Sequence, residues 1–182
     1  METPEISISQ LTGKERAHAF STLVRTYQER LYWHIRKMVL DHEDANDLLQ
    51  NTFLKAWNAL DNFRGESLVS TWLYRIATNE TITFLTSKKN NTISLGEVEE
   101  TMIRSLQADC YFNGDETQIL LQKAILSLPE KQRLVFNMRF YEEMPYEEMS
   151  KILDTSVGAL KASYHHASKK IESFLLDEND KC

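Results

Sequence analysis

Apolar residues recur every three or four positions along most of this chain, and nowhere do they alternate with polar ones over the length of a strand. Phe20, Leu23, Val24, Tyr27, Leu31, Ile35 and Met38 form the first stripe, which predicts one long amphipathic helix ending near Val39. Thr12 and Glu15 ahead of it have capping-box spacing. Asp41-His-Glu-Asp44 opens a second helix, with Leu48, Leu49, Phe53, Leu54 and Trp57 on its apolar side and an end near Leu60. A polar turn on Arg64, Gly65, Glu66 and Ser67 follows. Leu68, Trp72, Leu73, Ile76 and Ala77 then mark the apolar face of a third helix, from Val69 to about Thr86. Short connections between such helices predict an antiparallel bundle.

The period lapses over residues 87–114, which are polar and then acidic, and predicts a mobile linker. Val98, Met102, Ile103 and Leu106 leave a short helix open there. A second helical block starts near Asp115, whose spacing to Gln118 suits a cap. Ser127-Leu-Pro-Glu130 reads as a capping box with proline in the first helical turn, leading into Leu134, Val135 and Phe136. Pro145 opens a short helix to Leu153. Asp154-Thr155-Ser156 interrupts it, and Val157 to about Leu176 forms the last helix. The fold class is all-α: two small helical domains joined by a flexible linker. The boundaries are a tail at 1–13, a first domain at 14–89, a linker at 90–114 and a second domain at 115–178.

Charge refines this picture. The net charge of −6 argues against general nucleic-acid affinity, but it is unevenly spread. Residues 64–89 carry four basic groups against two acidic ones, and Val157–Lys170 holds three Lys and no acid. No apolar run approaches the roughly 20 residues of a membrane span, and the first residues lack the basic and apolar regions of a signal peptide. Cys110 and Cys182 are too few for a disulfide framework or a thiolate metal site. A reducing cytoplasm is the expected location.

Tyr146–Lys170 has helix-turn-helix form. Ile152, Val157 and Leu160 can pack its helices, while Lys161, Ser163, Tyr164, His165 and Lys169 project, as a major-groove helix requires. A purely structural hairpin has the same pattern. Glu43, Asp44, Asp47 and Gln50 line the second helix, either as a solvated acidic face or as a dock for a basic protein. Around the Arg64 turn, Trp72, Tyr74, Arg75 and Asn79 suit the stacking, clamping and hydrogen bonding of an unstacked base. Trp57, Phe63 and Trp72 each suit a core more readily than base stacking. Adjacent His165 and His166 point apart on a helix and make no metal site. No catalytic carboxylate pairing, Ser or His dyad, or glycine-rich phosphate loop stands out, so no enzyme, cofactor or small-molecule substrate is expected.

Four segments occur in order: DANDLLQNTFLKAW (44–57), FRGESLVSTWLYRIATN (63–79), LPEKQRLVF (128–136) and PYEEMSKILDTSVGALKASYHHASKKI (145–171). Together they closely resemble bacterial RNA polymerase sigma factors of the extracytoplasmic-function (ECF) group, over residues 14–176. The resemblance implies a first domain equivalent to region 2 and a second equivalent to region 4. Asp44, Asp47, Leu48, Gln50 and Asn51 would dock on core RNA polymerase, at the clamp of its largest subunit, and the flap of the second subunit would meet region 4. Lys55, Asn62, Phe63, Arg64, Gly65, Glu66, Ser67, Leu68, Trp72, Arg75 and Asn79 would capture the −10 element of promoter DNA as it opens. Thr155, Ser156, Val157, Ala159, Lys161, Ala162, Ser163, His165, His166 and Lys169 would read the −35 element.

It also implies control by an anti-sigma factor, often membrane-anchored in this group. Two departures stand out. Lys161, Ser163, His166 and Ser168 occupy a run where the family often carries several Arg, and Asn51 stands where an acid is frequent. The competing reading is a helix-turn-helix regulator that uses only residues 145–170. An adaptor that never touches DNA fits the basic last helix less well.

Overall fold

The computed structural model describes residues 13–63, 65, 67–91 and 116–179, and among them finds only helices and turns. Seven α-helices follow in order: α1 (Gly13–Val39), α2 (His42–Ala59), α3 (Val69–Asn91), α4 (Glu116–Leu126), α5 (Glu130–Phe140), α6 (Tyr146–Leu153) and α7 (Val157–Asn179). A 3-10 turn at Leu60–Asn62 closes α2. No described helix is long and apolar enough to cross a membrane.

Local chemistry sets most of the boundaries. Leu40, at φ 63, bends the chain between α1 and α2, and its side chain is buried there, so packing offsets a backbone conformation unusual for leucine. Asp41 caps α2 by accepting from the Asp44 amide at 2.9 Å. Pro145 precedes α6, and Asp154 ends it at φ 49, a conformation that Asp tolerates better than most residues. Ser156 starts α7: its hydroxyl accepts from the Ala159 amide at 3.3 Å.

Three expectations change. The Ser127 hydroxyl donates back to the Ala124 carbonyl at 2.7 Å, and Pro129 caps α5 without any side-chain bond, so the capping box does not form. The third helix runs on past Thr86 to Asn91. Leu54 and Leu68, placed on apolar faces by their spacing, are exposed. Thr12, Asp115 and the stretch Val98–Leu106 lie outside the described residues.

The core has two parts. One, around Ala124, Ile125, Leu128, Phe136, Ala167 and Ile171, belongs to the second lobe alone. The larger one joins the lobes, running from Leu31, Ile35, Met38 and Leu73 of the first to Leu134, Met138, Met144 and Met149 of the second. In the described structure the lobes are packed together, α1 against α5 and α3 against α6. A buried imidazole crosses the seam: His34 Nδ1 lies 2.9 Å from Glu142 Oε1, and His34 Nε2 lies 2.9 Å from Thr78 Oγ1.

Candidate nucleic-acid interface

The acidic first turn of α2 faces the positive end of the helix dipole, a favourable place for carboxylates. Asp44 is also held from outside, its Oδ2 taking the Lys88 ammonium of α3 at 2.9 Å. Asp47, Gln50 and Asn51 are exposed beside it. Leu48 turns inward and is only 5% exposed, so it supports this face from beneath. The face that can meet a partner is therefore polar and anionic.

Beyond α2 the chain tightens into the turn. Phe63 donates its amide to the Leu60 carbonyl at 3.2 Å, and Gly65 takes φ 72, which suits a residue without a Cβ. The Phe63 ring rests on Trp72 of α3, with centroids 4.9 Å apart. Leu68 is exposed, and its carbonyl accepts the Trp72 amide, starting α3. Asn62 is exposed and Ser67 half-buried, whereas Arg64 and Glu66 lie outside the described residues. Along α3, Trp72, Arg75 and Asn79 share a face at helical spacing, with Arg75 and Asn79 exposed. Lys55 reaches from α2 to the Glu80 carboxylate next to Asn79, so its charge is locally neutralised.

Trp57 is not available for stacking. Its ring packs on Phe20 at 5.1 Å, and the Arg16 guanidinium lies 4.7 Å from its centroid. Arg16 also bonds the Trp57 carbonyl at 3.2 Å and pairs with Asp61 at 2.8 Å, tying α1 to the turn. Sequence reasoning missed Arg16. Only its place one turn into an amphipathic helix hinted at a tertiary role.

In the second lobe α6 and α7 make the helix-turn-helix, with Ile152 and Leu160 buried between them. The Thr155 hydroxyl donates to the Leu153 carbonyl at 3.0 Å, while Ser156 is exposed and Val157 half-buried. Ala159, Lys161, Ala162, His165, His166 and Lys169 are exposed along α7, and Ser163 is half-buried. Tyr164 does not project. It stacks on Phe136 at 5.6 Å and meets Tyr146 edge-on at 6.5 Å, filling the space under α7.

Tyr146 in turn lies between two cations, with Arg139 at 5.3 Å and Lys161 at 5.7 Å from its centroid. Arg139 is the second basic residue that sequence reasoning left out; it adds a charge beside the start of α7. Among the described residues no group of His, Cys, Asp or Glu is arranged to hold a metal ion.

An all-helical chain with a fixed turn beside an Arg–Asn face, followed by a helix-turn-helix, defines a DNA-engaging protein of two modules. The profile "Sigma-70 region 2" matches residues 23–91, and "Sigma-70, region 4" matches residues 118–171. The ECF RNA polymerase sigma factor SigW of Bacillus subtilis is 32% identical over 168 residues, covering 87% of this chain and 90% of SigW. Among solved structures, the sigma factor RpoE of Bartonella quintana, in complex with the anti-sigma factor NepR, is similar with a TM-score of 0.65 and 20% identity. It covers 86% of this chain and 96% of that one. CnrH in complex with the cytosolic domain of CnrY has the same TM-score of 0.65 at 22% identity, covering 94% of this chain and 93% of that chain.

The chain belongs to the sigma-70 family, in its ECF group. It is a transcription initiation factor that directs RNA polymerase, not an enzyme.

Proposed function

We propose that this sigma factor divides its work between two faces of the first lobe and one of the second. Asp44, Asp47, Gln50 and Asn51 on α2 dock on the clamp of the largest polymerase subunit, with Leu48 beneath them, while the second lobe meets the flap of the second subunit. The turn from Asn62 to Leu68, with Trp72, Arg75 and Asn79, holds a base flipped out of the −10 element. Binding energy to the melted strand offsets the few kcal/mol of unstacking and unpairing that base. Exposed positions from Thr155 to Lys169 read the −35 element in the major groove and hold its phosphates.

The exposed Arg75–Asn79 face beside the Phe63–Trp72 ring pair carries this reading, because guanidinium and amide groups next to a fixed turn are the donors an extruded base requires. Lys55 has a lesser part, since Glu80 already holds it. The few cations on α7 leave few bidentate guanine contacts, so the −35 element read here differs from one read by Arg-rich relatives.

Permanganate footprinting of promoter DNA bound by the reconstituted holoenzyme tests the assignment. Wild-type protein exposes unpaired thymines at the −10 element; Asn79→Ala and Arg75→Ala leave them protected while the holoenzyme still forms. Equal reactivity with all three proteins removes this face from the mechanism.

The protein works in the cytoplasm with core polymerase and promoter DNA, and an anti-sigma factor, membrane-anchored as is common in the group, restrains it. Support comes from the two similar folds, each solved in an inhibitory pairing or its cytosolic part. Capture of such a factor by pull-down, with loss of transcription on adding it back, checks this.

A further inference from the structure

The corner between α5 and α6 sits against the first lobe as a built structure. Glu143 takes φ 52 there, and Arg139 Nη1 donates to the Glu143 carbonyl at 3.2 Å and the Met144 carbonyl at 3.3 Å. The Met144 amide returns to the Met138 carbonyl at 3.1 Å, and Gln122 donates to the Tyr141 hydroxyl at 2.9 Å. The corner so fixed presents two groups to the first lobe. Glu142 Oε1 meets His34 Nδ1, and the ring of Tyr141 lies 4.8 Å from the Lys37 ammonium.

A carboxylate only accepts, so Nδ1 of His34 carries the proton and Nε2 accepts from the Thr78 hydroxyl. The His34 side chain is 1% exposed and that of Glu142 11%, so both are withdrawn from water. Asn137 donates to the Lys37 carbonyl at 3.3 Å, and Thr71 reaches Glu148 at 3.5 Å.

Geometry sets this closed form against the work proposed above, and the inference rests on that reading. Elements at −10 and −35 lie about 25 base pairs apart, or about 85 Å of duplex. A globular body the size of the described structure has a radius of gyration of about 14 Å. Closed lobes therefore cannot lie on both elements. The 24 residues between Asn91 and Glu116 permit separation, since a chain of that length reaches at most about 80 Å.

We infer that the packed arrangement is an autoinhibited state, latched by Glu142 on His34, which core polymerase must open. One detail favours opening. Glu142 Oε2 is buried with no hydrogen-bond partner, a burden on the closed state that separation relieves.

Resonance energy transfer across the lobes tests the latch. In full-length protein with Cys110→Ser and Cys182→Ser, donor and acceptor are attached at Ser21→Cys and Glu172→Cys. High transfer in the free protein, falling when core polymerase binds, is expected. Glu142→Lys sets an ammonium against His34 and Lys37, and should give low transfer when free and about tenfold tighter binding to core, because the opening penalty is gone. Low transfer in the free wild-type protein overturns the inference, as does an opened variant with no gain in affinity.

Should Glu142→Lys fail to fold, Thr71→Cys with Glu148→Cys, joined by a short bismaleimide, locks the lobes instead. The joined protein should lose promoter-directed transcription that the unjoined one retains. Equal transcription by both overturns autoinhibition alone. No transcription by the unjoined or wild-type protein at any promoter counts against the sigma-factor assignments themselves.

Discussion

The Phe63 ring, at the mouth of the turn, lies on the Trp72 ring with centroids 4.9 Å apart and planes tilted by 37°. Each aromatic group thereby covers the other, and the pair fixes the turn to the start of α3. Trp72→Ala should cost about 2 kcal/mol of stability, below the range for a fully buried aromatic because Trp72 is half-buried. Promoter opening should fall by more than core binding does. Denaturant titration measures the first, and gel-shift against permanganate reactivity separates the other two.

Arg75 and Asn79 are exposed, so their loss should leave folding untouched. Arg75→Ala and Asn79→Ala are expected to shift unfolding free energy by no more than about 0.5 kcal/mol, while open-complex formation drops at least tenfold, as a lost base contact worth about 1–3 kcal/mol requires. Circular dichroism melts and open-complex lifetimes provide the comparison.

Much of this arrangement is written locally. The stripes from Phe20 to Met38 and from Leu134 to Phe136 are periodic, and the Asp41 cap and the Pro145 start depend on neighbours a few residues away. What the sequence hides is contact at a distance. His34 and Glu142 are 108 positions apart, and neither has a local pattern that announces the other. Arg16 pairs with Asp61 for the same reason, unseen. Tyr164 misleads because a helix-turn-helix must fill the space under its second helix as well as present a face, and period alone does not say which residue does so. Leu54 and Leu68 mislead in the opposite sense, apolar by spacing yet exposed.

Lys169 and Lys161 differ in what holds them. Lys161 lies over Tyr146, whereas Lys169 is exposed on α7. Lys169→Ala should lower the slope of log affinity against log salt by about one, uniformly across promoter sequences, as a single phosphate contact does. Fluorescence anisotropy of holoenzyme on promoter duplexes at graded salt would show it.

Tyr74 gives the protein an alkaline limit. Burial first, then the Glu142 carboxylate, push its phenol above the usual range, with Arg30 pulling the other way. The folded state therefore holds this proton more tightly than the unfolded state. The stabilisation is fully present below about pH 10, the unfolded value, and is lost as pH rises toward the higher folded one. Lys37 works in the opposite direction at lower pH, its ammonium held below the usual range by burial and partly restored by Glu142. Tyr74→Phe should therefore flatten the fall in unfolding midpoint above pH 10, and urea titrations of both proteins across that range check it.

Run-off transcription with purified bacterial core polymerase, on DNA upstream of this protein's own gene, tests the central claim most directly. The account predicts specific initiation, lost with Asn79→Ala while core binding persists. Absence of both initiation and core binding would contradict it.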